Sequence, residues 1–307
     1  MIKIIRNIGF VLIICLFLAV ACSPATETDT QTRSLTKSFL WKVSSDINTV
    51  YILGSVHVAE ANIYPLNYVI EDAYDRSDNI VAEINITSTS EEGLAMLLME
   101  KGMYPPGESL ETHIPSELYS RVSERILELD PTGFLLSYAN AFEPWVVAVT
   151  ITDFDYMRLG YDAEYGIDLY FLNKANADDK QILELESAEF QLDLFDSLSD
   201  EIQIMMLEDA IDNPVTEAEM EDLFTAWSTG NTSVMEQLIF EGIEEHPEYQ
   251  SLYDKIIDER NFLMVGKIED FLQGNVIHFI VVGAGHLVGN NGIINLLAEK
   301  GYNTKQL

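Results

Sequence analysis

Two hydrophobic rhythms run along this chain, and the change from one to the other divides it. Near the start of the ordered pattern, "SFLWKVSS" (38–45) and "NTVYIL" (48–53) are short apolar runs rich in β-branched and aromatic residues, joined by the polar "SDIN". They predict a β-hairpin. A helix is expected over Leu66–Ser77, where Val69, Ile70 and Ala73 fall at helical spacing. "NIVAEINI", Asn79–Ile86, then reads as a strand in which Ile80, Ala82 and Ile84 alternate with Val81, Glu83 and Asn85. Beyond it the period lengthens to that of helices. "PSELYSRVSERILEL" opens with Pro115 and Ser116, good first-turn residues, and further amphipathic segments span Glu164–Asn176, Ala188–Leu198, Glu201–Ile211, Glu217–Trp227 and Ser233–Glu245. One short strand, "KQILELES", interrupts them. The strand rhythm returns over Val276–Val282, followed by a helix near Gly292–Lys300. The pattern predicts an α/β core with strands from both chain ends and a large helical middle section over about 114–260.

The first residues set the compartment. Lys3 and Arg6 precede an apolar run from Ile8 to Ala21 that is shorter than the ~20 residues a spanning helix needs, so residues 1–21 read as a secretory signal. "LAVAC" ending at Cys22 resembles a lipobox, with Ala19 where a leucine is usual. Cys22 would then be lipidated and 22–37 would be a Ser/Thr-rich flexible tether to one domain over 38–307. Ala19-Val20-Ala21 also fits ordinary signal cleavage, which would give a secreted soluble protein. The expected location is the cell envelope, outside the cytoplasm, held to the membrane by the lipid. Besides Cys22 there is only Cys15, inside the signal, which excludes thiol catalysis, CxxC redox chemistry and Cys-ligated zinc from the mature chain. Any metal must be held by histidine, carboxylate or water. With 51 acidic against 17 basic residues the chain carries a formal net charge of −34, which excludes nucleic acid as a partner.

The candidate chemistry begins with a repeated turn. Gly54-Ser55-Val56-His57 and Gly283-Ala284-Gly285-His286 both follow a strand, and both place a histidine just past it. Strand ends in α/β sheets are where catalytic and binding groups collect, and glycine there allows a sharp turn with close backbone approach. Two of the five histidines share this context; His113, His246 and His278 do not, and are read as structural or surface residues. Glu83 either faces solvent or joins the two imidazoles, because a carboxylate on Val81's partly buried face needs a cation or hydrogen bonds. Two imidazoles and a carboxylate converging on a cleft would suit a divalent metal.

At these residues the chain resembles the TraB/GumN family, related to the Tiki metallopeptidases. The landmarks run from Ser38 to Leu307. They are "LGSVHVAEANIYPL", "VAEIN", "EPWVVA" around Trp145, "YGIDLYFLNKA" with Asp168, "LELESAEFQ" with Glu186 and Gln191, "DERNFLMVGKIEDFL" with Arg260 and Asn261, and "VVGAGHLVGNNGIINLLAEKGY". Ser55 and Ser187 stand where threonine is more usual in the family. The resemblance implies a pseudo-symmetric core of the EreA/ChaN-like, Tiki/TraB type, each half contributing one GxxH. It implies His57 and His286 as metal ligands, with Glu83 as ligand or general base. Glu186 would complete the metal shell or support it, or else be a helix-start acid. Arg260 would hold an oxyanion or a substrate carboxylate, or else form a salt bridge. Gly54, Gly283, Asp168, Gln191 and Asn261 would be supporting residues, and Trp145 core. The implied activity is metal-dependent hydrolysis, with Mn, Co or Zn, of a peptide or other small substrate. The rival reading is a lipid-anchored binding protein that holds haem or a peptide in the same cleft without turnover.

Overall fold

The computed structural model describes residues 37–88, 90–240, 243 and 247–307. The expected signal, Cys22, His246 and all of the expected tether except Lys37 lie outside the described residues. Among the described residues the sheet has six strands: β1 (Leu40–Ser44), β2 (Thr49–Ser55), β3 (Asn79–Ala82), β4 (Ile182–Glu184), β5 (His278–Gly283) and β6 (Asn303–Gln306). Their order across the sheet is β4-β3-β5-β2-β1-β6. The pairs β4–β3, β3–β5 and β5–β2 are parallel, whereas β1 is antiparallel to both β2 and β6. The carboxyl ends of four adjacent strands therefore share one edge of the sheet.

Helices account for most of the remainder. The longer ones are α1 (Tyr68–Asp75), α2 (Glu91–Gly102), α3 (Ser116–Leu129), α4 (Pro144–Arg158), α5 (Ile167–Ala177), α6 (Ala188–Asp196), α7 (Asp200–Asp212), α8 (Glu217–Ser228), α9 (Thr232–Phe240), α10 (Glu259–Gln273) and α11 (Ile293–Glu299). A π-turn over Asp254–Asp258 leads directly into α10. All six residues of β5 and all but the first of β2 are buried, as expected of parallel strands covered on both faces. The apolar core continues from these strands into the helical layer, where Trp145 is fully buried and stacks on Phe195 at 5.3 Å.

Three expectations need correction. The strand expected over Asn79–Ile86 ends at Ala82, because Asn85 starts a turn: its side chain accepts from the Thr87 amide at 3.2 Å and its carbonyl from the Ser88 amide at 3.0 Å. The expected in-and-out alternation there is absent as well. Ile80, Val81, Ala82, Glu83 and Ile84 are all buried, since both faces of β3 are covered. The helix expected from Glu164 is two elements, a single 3-10 turn over Ala163–Tyr165 and then α5 from Ile167. Gly166 breaks them apart where it passes under the His57 carbonyl; a Cβ there would lie 2.3 Å from that oxygen. Strand β6 was not legible, because its polar "NTKQ" has no apolar rhythm; it is defined by pairing with β1.

Candidate functional site

The four parallel strand ends deliver four of the expected residues in spatial order: Glu186 beyond β4, Glu83 beyond β3, His286 beyond β5 and His57 beyond β2. Past their last paired residues β3 and β4 stay zipped together, with the Leu185 amide on the Ala82 carbonyl and the Glu186 amide on the Glu83 carbonyl, both 2.8 Å. In the β2–β5 ladder Ser55 lies opposite Gly283, so the two GxxH turns leave the sheet one rung out of step. Gly54 is confined: an added Cβ would meet the Phe39 ring at 2.4 Å and the Ala284 Cα at 3.1 Å. Trp227 of α8 fixes the same exit, donating its indole N–H to the Gly54 carbonyl at 2.7 Å.

Each imidazole is held at Nδ1 by a residue from the first turn of a helix. His57 Nδ1 lies 2.6 Å from Asp168 Oδ2 of α5, whose other oxygen accepts from the Ser55 hydroxyl at 2.7 Å. His286 Nδ1 lies 2.6 Å from Asn261 Oδ1 of α10. A carboxylate and an amide oxygen can only accept, so both Nδ1 atoms carry hydrogen and both Nε2 atoms present a lone pair when the rings are neutral. Both Nε2 atoms are buried and have no hydrogen-bond partner among the described residues. An imidazole pinned at Nδ1 by an outer acceptor, with Nε2 free, is how a metal-binding histidine is prepared.

The acidic side of the site is organised by Arg260, which is fully buried. Its guanidinium donates to Glu83 Oε2 at 2.6 Å, to both oxygens of Glu186 at 2.7–3.1 Å, and to the Ile256 carbonyl at 3.1 Å. Gln191 of α6 also bridges the two acids, its amide group donating to Glu83 Oε2 at 3.2 Å and to Glu186 Oε2 at 3.0 Å. Glu83 Oε1 accepts from the Gly283 amide at 2.6 Å and lies 3.8 Å from His286 Nε2. Burial raises the pKa of Glu83, and Glu186 adds to this, against the pull of Arg260, His57 and the Gly283 amide. Burial drives His286 well below the ordinary imidazole value, helped by the charges of Arg260 and His57. Burial also works against charge on His57, but Asp168 and Glu83 more than offset it and raise its pKa.

The structure thus brings His57, His286, Glu83, Glu186, Arg260, Asp168, Gln191 and Asn261 into one buried cluster. His113 lies apart on the surface, 3.0 Å from Glu108, and His278 packs on Phe271 at the start of β5. Sequence reading gave no role to Ser55 beyond noting the threonine usual at its position; the signal was the hydroxyl between Gly54 and His57. Imidazole nitrogens left free at Nε2 are donors of the type that suits a divalent ion, while among the described residues no three His, Cys, Asp or Glu side chains form a metal-binding group.

The TraB/PrgY/gumN family profile matches residues 39–306. The chain belongs to this family. The chain is 26% identical over 257 residues to YbaP of Escherichia coli, covering 80% of this chain and 87% of YbaP. More distant relatives are named metalloproteases. The zebrafish (Danio rerio) metalloprotease TIKI2 is 22% identical over 94% of this chain and 66% of its own length, and TIKI1 is 23% identical over 86% and 62%. No solved structure matches the chain. Among the described residues of this TraB/PrgY/gumN member no helix is long and apolar enough to cross a membrane.

Proposed function

We propose that the chain is a metal-dependent hydrolase of peptide or other amide bonds. It would act outside the cytoplasm from a lipid on Cys22, with a core of the pseudo-symmetric EreA/ChaN-like type. One observation carries the reading: in a cluster where the acids and the arginine are multiply bonded, two buried imidazole nitrogens have no hydrogen-bond partner among the described residues. A buried acceptor left bare costs about 1–3 kcal/mol, so a missing ligand is the economical explanation. The two relatives named metalloproteases support it.

His57 and His286 would hold the ion at Nε2, with water or substrate completing its shell. When bound, a divalent metal polarises a carbonyl and brings the pKa of a coordinated water toward ~7. The remaining work falls to the chain. Glu83 is the proposed base at Oε1. Its raised pKa moves a carboxylate toward the working pH, where proton transfer is most effective, and lets the same oxygen return the proton to a leaving amine. Arg260 holds Glu83 in place and keeps a second acid, Glu186, beside it. With its guanidinium on these two acids, its salt-bridge role is the one the geometry supports. Glu186 has both oxygens on Arg260 and supports the site from outside the metal shell. Asp168 and Asn261 orient the rings.

The test is cleavage of a peptide library by purified protein, stripped with chelator and then given Mn, Co or Zn. Loss and recovery of cleavage is expected. No product with any metal would overturn the hydrolase, and a ligand that survives dialysis without product would favour the binding protein.

A further inference from the structure

His57 is oriented by an acid in direct contact, whereas His286 is oriented by an amide, and an amide can be turned around. If the Asn261 side chain flipped, its NH2 group would face Nδ1, the ring proton would move to Nε2 and the lone pair needed for a ligand would vanish. Something must decide which way the amide points. The Asn261 NH2 group donates to the backbone carbonyl of Asn291 at 2.8 Å, and a carbonyl cannot donate in return. The Asn291 side chain donates in turn to Asp258 Oδ2 at 2.6 Å. Hydrogen-bond polarity therefore runs one way, His286 to Asn261 to the Asn291 backbone, with the Asn291 side chain tied down by Asp258.

We infer that Asn291 and Asp258 are positioning residues that fix, through Asn261, the orientation and tautomer of His286. The local sequence is built for this. Asp258 closes the π-turn and stands three residues before Asn261, so both face the Gly289–Gly292 turn; π-turns inside helices recur at functional sites. In that turn Gly289 has φ +82°, the Gly292 amide donates to the Gly289 carbonyl at 3.1 Å, and a Cβ on Gly292 would lie 2.5 Å from the Val288 carbonyl oxygen. The loop that presents the Asn291 carbonyl is held at both ends. The hydrogen bonds that link both residues to the imidazole run through Asn261.

The metal-binding consequence rests on the proposed reading of His286, but the tautomer does not, and the experiment separates the two. Full-length protein labelled with 15N-histidine, chelator-treated and held above the ordinary imidazole range, is compared by NMR as wild type, Asn291→Ala, Asp258→Ala and Asp258→Asn; His286→Ala assigns the signal. Wild type is expected to show His286 as a single Nδ1–H tautomer, both alanine variants a mixture, and Asp258→Asn the wild-type state because it keeps an acceptor oxygen for Asn291. Zinc titration should show ~10–100-fold weaker binding in the alanine variants and little change in Asp258→Asn. A folded alanine variant that keeps the pure Nδ1–H tautomer overturns the inference. A tautomer that mixes as expected in a protein that binds no zinc upholds the network and sinks the metal.

Discussion

The two GxxH turns are the same device at the two ends of the chain, yet they produce chemically different histidines. Both leave adjacent parallel strands, and both present a buried Nε2 with no partner among the described residues. The motif fixes that much and no more. What lies behind each ring comes from a distant helix: a carboxylate from α5 for His57, an amide from α10 for His286. The anion makes protonation of His57 easier than usual, while burial and the nearby charges of Arg260 and His57 hold His286 neutral. A repeated motif thus carries one ring able to accept charge and one that resists it. Two cations side by side beside a buried arginine would repel, and the asymmetry avoids that state.

The strongest attempt to break the pairing is to remove each ring in turn. His57→Ala and His286→Ala are each expected to lose metal retention, by well beyond the ~10–100-fold typical of losing an outer partner, with helical content unchanged by circular dichroism. Metal analysis of the two purified variants decides it; retention by either one would mean the rings do not share an ion. Next in size is Arg260→Ala, which touches both halves because its charge acts on both imidazoles. It would leave Glu83 and Glu186 buried beside each other without the guanidinium that bonds both, a loss of about 3–5 kcal/mol in chemical denaturation. A loss under about 1 kcal/mol would mean that the acids are already protonated and that Arg260 is not what holds them.

How much of this was legible in the sequence follows from the same contrast. The hairpin of β1 and β2, strand β5 and most of the helices are written in local hydrophobic rhythm, which is why they could be read directly. The repeated Gly-x-x-His turns were legible for the same reason, being strand, glycine and histidine within a few residues. The partners of those histidines were named as supporting residues only through the family resemblance, because 111 residues separate His57 from Asp168 and 25 separate His286 from Asn261. Nothing local marks such pairs. The setting of Glu83 stayed open between solvent and site for a related reason: alternation assumes one wet face, whereas β3 lies between β4 and β5 with both faces covered. Asn291 works mainly through its backbone carbonyl, which no reading of side chains would single out.

The finest discrimination between the two turns is the pH dependence of stability in chelator-treated protein. His57 has a folded pKa raised above the ordinary 6.5, so its stabilising contribution is complete below 6.5 and is lost as pH rises through the folded value. His286 has a depressed folded pKa, so its contribution is present above 6.5 and is lost as pH falls toward the folded value. The opposite signs leave the two imidazoles jointly most favourable near the ordinary value. Asp168→Asn removes the largest influence that raises His57, leaving burial, the strongest influence of all, to outweigh Glu83 and push it down, so both rings should then behave like His286. The stability advantage of wild type over Asp168→Asn should be largest at acidic pH and shrink as pH rises through the folded pKa of His57, read by urea denaturation across the series. An advantage independent of pH would show that Asp168 contributes only its hydrogen-bonding geometry, through His57 and Ser55, and that charge does not distinguish the two turns.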